Sequence, residues 1–136
     1  TFNEFVKLIS EKDVLNSDNH WRPQVDFLVY NNYDLYVQLE KFENYKSSIE
    51  KKANIKITDA RRLTLHGNDI FEQVKDKNFA NVTPSEILNL RAKNCTPSLI
   101  SMYDKVSIKI ILDLFKNDII LYDKCFNEKC SEFIIV

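Results

Sequence analysis

Residues 25–39, VDFLVYNNYDLYVQL, decide the fold class, because they contain the clearest strand pattern of the chain. Val25, Phe27 and Val29 occupy alternate positions, which is the period of a strand with one buried face. Asn31-Asn32 supplies a turn, and residues 35–39 follow as a second short strand. The stretch therefore predicts a β-hairpin, or edge strands of a sheet whose other strands lie elsewhere.

The sequence on both sides of this stretch predicts helices. Thr1-Phe2-Asn3-Glu4 has the pattern of a capping box and begins an amphipathic helix over residues 2–11. A second helix is predicted over residues 43–52. Thr83-Pro84-Ser85-Glu86 is the clearest helix start, because it combines an N-cap, a proline at N1 and a glutamate at N3.

The C-terminal part is also predicted to be mostly helical. Thr96-Pro97-Ser98 gives another start signal, and a broad apolar face continues from Ile100 through Tyr122. Weaker patterns predict a polar loop over residues 12–19 and a brief strand at Ile55-Lys56-Ile57. The fold class is therefore a helix-rich α/β chain with one short hairpin or edge strands. A two-stranded sheet is marginal alone, so the chain is expected to be part of a larger α/β architecture.

Composition excludes several function classes. The 136 residues include one glycine, Gly67. The sequence therefore contains neither of the two glycine-rich phosphate-binding motifs, G-x-x-x-x-G-K-[ST] and G-x-G-x-x-G. Nineteen basic and twenty acidic residues give a net charge of −1. This charge argues against nonspecific electrostatic binding to nucleic acid or to an anionic membrane. No apolar run approaches the roughly 20 residues of a transmembrane helix.

The three cysteines do not form a disulfide framework by count. Cys125 and Cys130 are spaced so that they could bridge or share a metal ion. A structural zinc site needs four ligands, and neither histidine is near them in sequence. The pattern favours no metal site and reduced thiols on a polar tail over residues 124–136.

The most informative polar segment is His20-Trp21-Arg22-Pro23-Gln24. A histidine has an unperturbed pKa near 6.5, which suits a general base. Trp21 suits the face of a sugar ring, and Arg22 suits an anionic group. From the residues alone, an exposed loop histidine beside a tryptophan that packs into the core is the more common arrangement.

The other candidates each have an equally plain structural alternative. Asp34 and Glu40 lie at the ends of the second predicted strand, where carboxylates face clefts or pair with lysines. Arg61-Arg62 has the donors for phosphate or sulfate, and His66 adjoins a predicted turn. Three carboxylates of the terminal helical segment are expected to face solvent: Asp113, Asp118 and Asp123.

Four segments occur in an order that resembles a known family. They are Phe2-Asn3-Glu4-Phe5-Val6, the H-W-R-P-Q string at residues 20–24, the strand Tyr33–Glu40 with a D-x-x-x-x-x-E pattern, and Ile108–Tyr122 with a pattern similar to Y-x-x-D-x-x-x-[FY]. Over residues 1–123 the chain resembles the C-terminal part of the carbohydrate sulfotransferase family, which includes chondroitin, dermatan and HNK-1 type enzymes.

The resemblance implies a P-loop-kinase-like α/β fold and transfer of a sulfuryl group from 3′-phosphoadenosine 5′-phosphosulfate to a carbohydrate hydroxyl. The family's two donor-binding loops do not appear in this chain, so it would supply the acceptor-side region. His20 is then the candidate base, and Arg22 would stabilise sulfate charge. Trp21, Gln24 and Glu40 would lie on the acceptor side.

Two hypotheses follow for the chain as a whole. Because it begins with Thr1 in place of methionine, we expect a truncated or processed product whose N-terminal half binds the donor. The alternative is a non-catalytic helical domain that binds a glycan or a protein through the Trp21 corner. The resemblance implies the cytoplasm for a bacterial member of the family and the Golgi lumen for a eukaryotic one.

Overall fold

The computed structural model describes residues 1–58 and 70–129, which form two units. The first unit contains residues 1–28 and 70–129, and the second contains residues 29–58. Five residues named above, Arg61, Arg62, His66, Gly67 and Cys130, lie outside the described residues. The proposed boundary between residues 123 and 124 stays a prediction.

The prediction of a helix-rich α/β chain is confirmed. Along the chain the elements are α1 (Phe2–Ile9), α2 (Lys12–Leu15), α3 (Phe42–Ala53), β1 (Glu72–Val74), α4 (Pro84–Arg91), β2 (Cys95–Pro97), α5 (Lys105–Leu114) and α6 (Lys116–Phe126). Short 3₁₀ turns lie at Gln24–Phe27, Leu39–Lys41 and Ile100–Met102. Helix α3 belongs to the second unit, and the other helices and both strands belong to the first.

Two of the helix starts that the sequence predicted, at Thr1 and Thr83, are capped as expected. At α1 the Thr1 hydroxyl accepts from the backbone N–H of Glu4, and the Glu4 carboxylate accepts from Thr1 in return. The same reciprocal pair, Thr83 and Glu86, opens α4. Each capping box satisfies backbone donors that the first turn of a helix leaves without partners.

The predicted hairpin within residues 25–39 is wrong. Its first part is a 3₁₀ turn, and residues 28–38 contain no strand. Side chains supply the partners that a strand ladder would otherwise give: the Tyr33 hydroxyl accepts from the backbone N–H groups of Val29, at 3.0 Å, and of Tyr30, at 3.2 Å. Both of these residues are largely exposed, so a strand here would have no buried face to stabilise it.

The two strands of the described residues lie elsewhere and run parallel. Glu72 pairs with Cys95 and Val74 with Pro97, and helix α4 lies in the connection between β1 and β2. The helix predicted to start at Thr96-Pro97-Ser98 is therefore wrong, since these residues end a strand. Ser98 donates its backbone N–H to the Val74 carbonyl at 3.0 Å and extends the pairing by one step.

The remaining corrections concern element ends. The long apolar face after Ile100 is divided between α5 and α6, which meet at Phe115. Residues 55–57 form no strand, because α3 ends at the left-handed residue Asn54 and the Glu50 carboxylate accepts the Ile57 N–H at 2.9 Å. Asparagines in the same left-handed conformation follow α6, at Asn127, and precede β2, at Asn94. The predicted loop over residues 12–19 contains the short helix α2.

A buried amide joins distant parts of the first unit. Asn3, 8% exposed, donates its side-chain N–H₂ to the side chain of Asn81 at 2.9 Å and to the Asp104 carboxylate at 2.6 Å. Its backbone N–H donates to the Ala80 carbonyl at 3.0 Å. Helix α1 is thus connected to the segment before α4 and to the N-cap of α5. The fully or nearly fully buried apolar side chains lie on the same elements: Val6, Ile9, Phe79 and Ala80.

The second unit is organised around α3. Gln38, 3% exposed, accepts a hydrogen bond from the Tyr45 hydroxyl at 3.1 Å. Lys52 donates to the Asp34 carbonyl at 3.1 Å and so connects the end of α3 to the preceding segment. These contacts keep residues 34–38 against one side of the helix.

Candidate functional site

The H-W-R-P-Q segment lies in the first unit, between α2 and α6. Trp21 anchors it: the indole N–H donates to the Val14 carbonyl at 2.9 Å, and the ring meets Phe5 edge-on at 5.7 Å between centroids. The side chain is half-buried. Trp21 therefore holds the loop against α1 and α2, and its predicted contact with a substrate stays a prediction.

The other end of the segment is held by a carboxylate from α6. Asp118 accepts from the backbone N–H groups of Gln24 and Val25, each at 2.9 Å and each on a separate oxygen. These N–H groups open a 3₁₀ turn directly after Pro23, where no earlier carbonyl of the turn reaches them. The expectation that Asp118 faces solvent is wrong, because it is half-buried and binds this turn.

His20 lies between these two anchors and points into solvent, with its side chain 88% exposed. Asp18 binds it twice: one carboxylate oxygen accepts the His20 backbone N–H at 2.8 Å and lies 2.5 Å from the ring Nδ1. The His20 backbone N–H, followed by its ring, lowers the pKa of Asp18 below the ordinary value. Asp18 is therefore a carboxylate at neutral pH.

This pairing determines the tautomer of His20. An ionised carboxylate only accepts hydrogen bonds, so the ring proton lies on Nδ1 while the pair is formed. In the neutral imidazole, Nε2 is then the hydrogen-bond acceptor. The loop presents a histidine whose basic nitrogen is open to an incoming hydroxyl group. Sequence reasoning missed Asp18, although its position two residues before the histidine is typical of an Asx turn.

Arg22 is less available than its position in the motif suggests. Its guanidinium lies 5.1 Å from the ring centroid of Phe27, and Nη1 donates to Asn19 at 3.4 Å. Nε is buried and has no hydrogen-bond partner within the described residues. Arg22 therefore faces the loop through part of its guanidinium, and its buried Nε–H makes no hydrogen bond within the described residues.

Glu40 lies in the second unit, in the 3₁₀ turn that precedes α3, while the other four predicted site residues lie in the first. The site described here consists of first-unit residues only. Across residues 1–58 and 70–129 no group of three potential metal ligands occurs. None of the helices described is both long enough and apolar enough to cross a membrane.

Comparisons with protein-family models, with curated proteins and with solved structures found no match.

Proposed function

We propose that this chain is the acceptor-side region of a sulfotransferase that moves a sulfuryl group from 3′-phosphoadenosine 5′-phosphosulfate to a carbohydrate hydroxyl. One observation carries the proposal. The Asp118 carboxylate joins two of the segments that resemble the family, the H-W-R-P-Q loop and the closing helix, across 94 residues of sequence from Gln24. If the resemblance of these two segments to the family were accidental, there would be no reason to expect them to contact each other.

His20 is the general base of the proposed reaction. The acceptor hydroxyl oxygen attacks the sulfur atom, its proton passes to Nε2 of His20, and the bond from sulfur to the donor's phosphate oxygen breaks. Adenosine 3′,5′-bisphosphate leaves with that oxygen and its electron pair. Asp18 orients the imidazole and stabilises the imidazolium that forms, which is the role of the carboxylate in other histidine–carboxylate pairs.

The other residues have supporting roles in this proposal. The Gln24 side chain lies at the start of the 3₁₀ turn and is exposed, so its amide is available to sugar hydroxyls. Arg22 offers to sulfate charge the guanidinium donors that are not bound within the loop. The proposal assigns the donor's phosphates to residues outside this chain, because the chain has no glycine-rich phosphate loop.

The test is a sulfuryl-transfer assay on the gene product that carries this chain, with labelled donor and a panel of glycan acceptors. We expect His20→Ala to lower kcat about a hundredfold while donor affinity is unchanged, because the base acts in the chemical step. Asp18→Asn is expected to lower kcat by a smaller factor and to change the pH profile of kcat.

Asp13→Asn is the matched control, since Asp13 is an exposed carboxylate on α2 and has no role in the proposed reaction. It should leave kcat unchanged. An unchanged kcat in His20→Ala would remove His20 from the mechanism. Absence of transfer by the wild-type protein to every acceptor would overturn the proposed activity.

A second candidate is a non-catalytic domain that binds a glycan or a protein. The observation that favours it is the exposure of large apolar side chains in both units, for example Val29 at 82%, Leu39 at 83% and Leu99 at 76%. Binding of the chain to a glycan array without sulfuryl transfer would support this function over the enzymatic one.

A further inference from the structure

The two parallel strands end at a cleft that the proposed reaction does not use. Its volume is about 670 Å³, and its walls come from residues 75–78 after β1 and residues 98–101 after β2, together with Gln73 of β1, Tyr103 and Ile108. It has no lining residue in common with the His20 loop. The crevice beyond the carboxyl ends of parallel strands is where open α/β sheets bind ligands.

The cleft is rich in hydrogen-bond donors and positive charge. Lys75 and Lys77 line it, and Asp76 is the acidic residue among its lining residues. Within the described residues, the backbone N–H groups of residues 75–78 make no backbone hydrogen bond. The Ser98 hydroxyl accepts from the Ser101 N–H at 3.3 Å and retains its own proton to donate. Consecutive unpaired backbone N–H groups beside ammonium groups favour an oxyanion.

The walls of the cleft are held in place by contacts to buried residues. Phe79, 2% exposed, donates its backbone N–H to the Ser101 carbonyl at 2.7 Å, and its ring centroid lies 5.4 Å from the Lys77 ammonium nitrogen. Asn78 donates its side-chain amide to the Tyr103 carbonyl at 2.6 Å. The loop after β1 is therefore tied to the segment after β2, which lowers the cost of ordering these donors on binding.

The charge and the shape of the cleft together indicate the ligand class. Among the lining residues, two lysines against one aspartate leave a positive excess of one. Leu99 and Ile100 are 76% and 59% exposed at the cleft, where they offer apolar surface to the organic part of a ligand.

We propose that this cleft binds a phosphate or sulfate ester of a small organic molecule. Lys75, Lys77 and the backbone N–H groups of the loop contact the oxyanion, and Leu99 and Ile100 contact the organic group. The inference does not depend on sulfuryl transfer, because the residues and the experiment differ from those of the His20 loop.

The experiment is an amide NMR titration of the whole chain with inorganic sulfate, inorganic phosphate, phenyl sulfate and phenyl phosphate, at constant ionic strength set with chloride. We expect resonance shifts in residues 75–78 and 98–101, and tighter binding of the phenyl esters than of the inorganic ions. Tighter binding of the two sulfates than of the two phosphates, or the reverse, identifies the oxyanion.

The variant K75Q/K77Q should weaken binding about tenfold, since it removes two charge-assisted hydrogen bonds from exposed positions. K109Q/K116Q is the matched control: it makes the same change in net charge on α5 and α6 and should leave the affinity unchanged. Equal weakening in both variants would mean nonspecific attraction to positive charge and overturn the proposal. So would the absence of shifts in residues 75–78 and 98–101 with all four probes.

Discussion

The two units differ in how far along the chain their polar contacts reach. In the first unit, Asn3 contacts Asp104 across 101 residues and Asp118 contacts Gln24 across 94. In the second unit, the contact between Lys52 and Asp34 spans 18 residues, and that between Tyr45 and Gln38 spans 7. The first unit is therefore held together by contacts between residues that are far apart in the sequence. The described contacts of the second unit form within one short segment.

This difference has a consequence for cooperativity. Removal of one long-range polar contact should loosen several elements of the first unit together, while removal of a local contact in the second unit should act only nearby. Trp21, the one tryptophan of the chain, belongs to the first unit. Its fluorescence therefore reports on unfolding of that unit, and amide exchange can follow the second.

The largest effect is expected from Asn3→Ala. The change removes the amide that donates to Oδ2 of Asp104 and to the side-chain oxygen of Asn81 in a partly buried site, so we expect a loss of about 2 kcal/mol in the free energy of unfolding. Urea unfolding followed by Trp21 fluorescence measures it. Asn89→Ala, at an exposed position of α4 in the same unit, is the control and should change the transition by less than about 0.5 kcal/mol. Equal midpoints for the two variants would contradict the long-range role of Asn3.

An intermediate effect is expected from pH through Asp104. Hydrogen bonds from the Ser107 backbone N–H, followed by the Asn3 amide, lower the pKa of Asp104 below its ordinary value of 3.8. The native state thus keeps this carboxylate ionised at a pH where the unfolded chain binds a proton. The contribution is fully present above pH 3.8 and is lost as pH falls through the lower folded value.

The measurement is the urea midpoint of the first unit as a function of pH, in wild type and in Asp104→Asn. The variant should show a shallower loss of stability on acidification. Asp113→Asn, an exposed carboxylate on the same helix, should retain the wild-type slope. Parallel curves for wild type and Asp104→Asn would show that the interaction of Asp104 with its donors does not depend on ionisation.

The smallest effect is expected from Tyr33→Phe in the second unit. The change removes the hydroxyl that accepts from the Val29 and Tyr30 backbone N–H groups, both of which are near solvent that can replace it. We expect faster amide exchange at these two residues and no change in the Trp21 transition. Tyr45→Phe serves as the comparison, because its hydroxyl donates to a buried Gln38 and its loss should affect α3 more strongly. A shifted Trp21 transition in Tyr33→Phe would break the proposed contrast between the units.

The sequence predicted the elements whose determinants are local. The capping boxes at Thr1 and Thr83 and the apolar spacing of α1 use residues within one helical turn, so short patterns find them. The strands could not be found in this way. β1 and β2 have three residues each and gain their pairing from partners more than twenty positions away. The first strand of the false hairpin had the alternation of a strand, but the backbone N–H groups at its two ends, Val25 and Tyr30, donate to the Asp118 carboxylate and to the Tyr33 hydroxyl.

The candidate site shows the same difference between local and long-range contacts. His20 was identifiable from its motif. Asp18 could also have been found, because it contacts His20 from only two positions earlier in the sequence. Asp118 could not, since nothing in its own segment predicts that it binds the turn after Pro23. Long-range polar contacts have no short sequence signature.

Asparagine ends structural elements in this chain where glycine often does so elsewhere. Asn54, Asn94 and Asn127 each have a φ between 51° and 59°, a conformation that glycine enters without strain. Because these positions carry side chains, the unfolded chain has fewer backbone conformations than a glycine-rich chain of the same length. The near-absence of glycine thus reduces the conformational entropy lost on folding, which is an advantage because few side chains within residues 1–58 and 70–129 are fully buried.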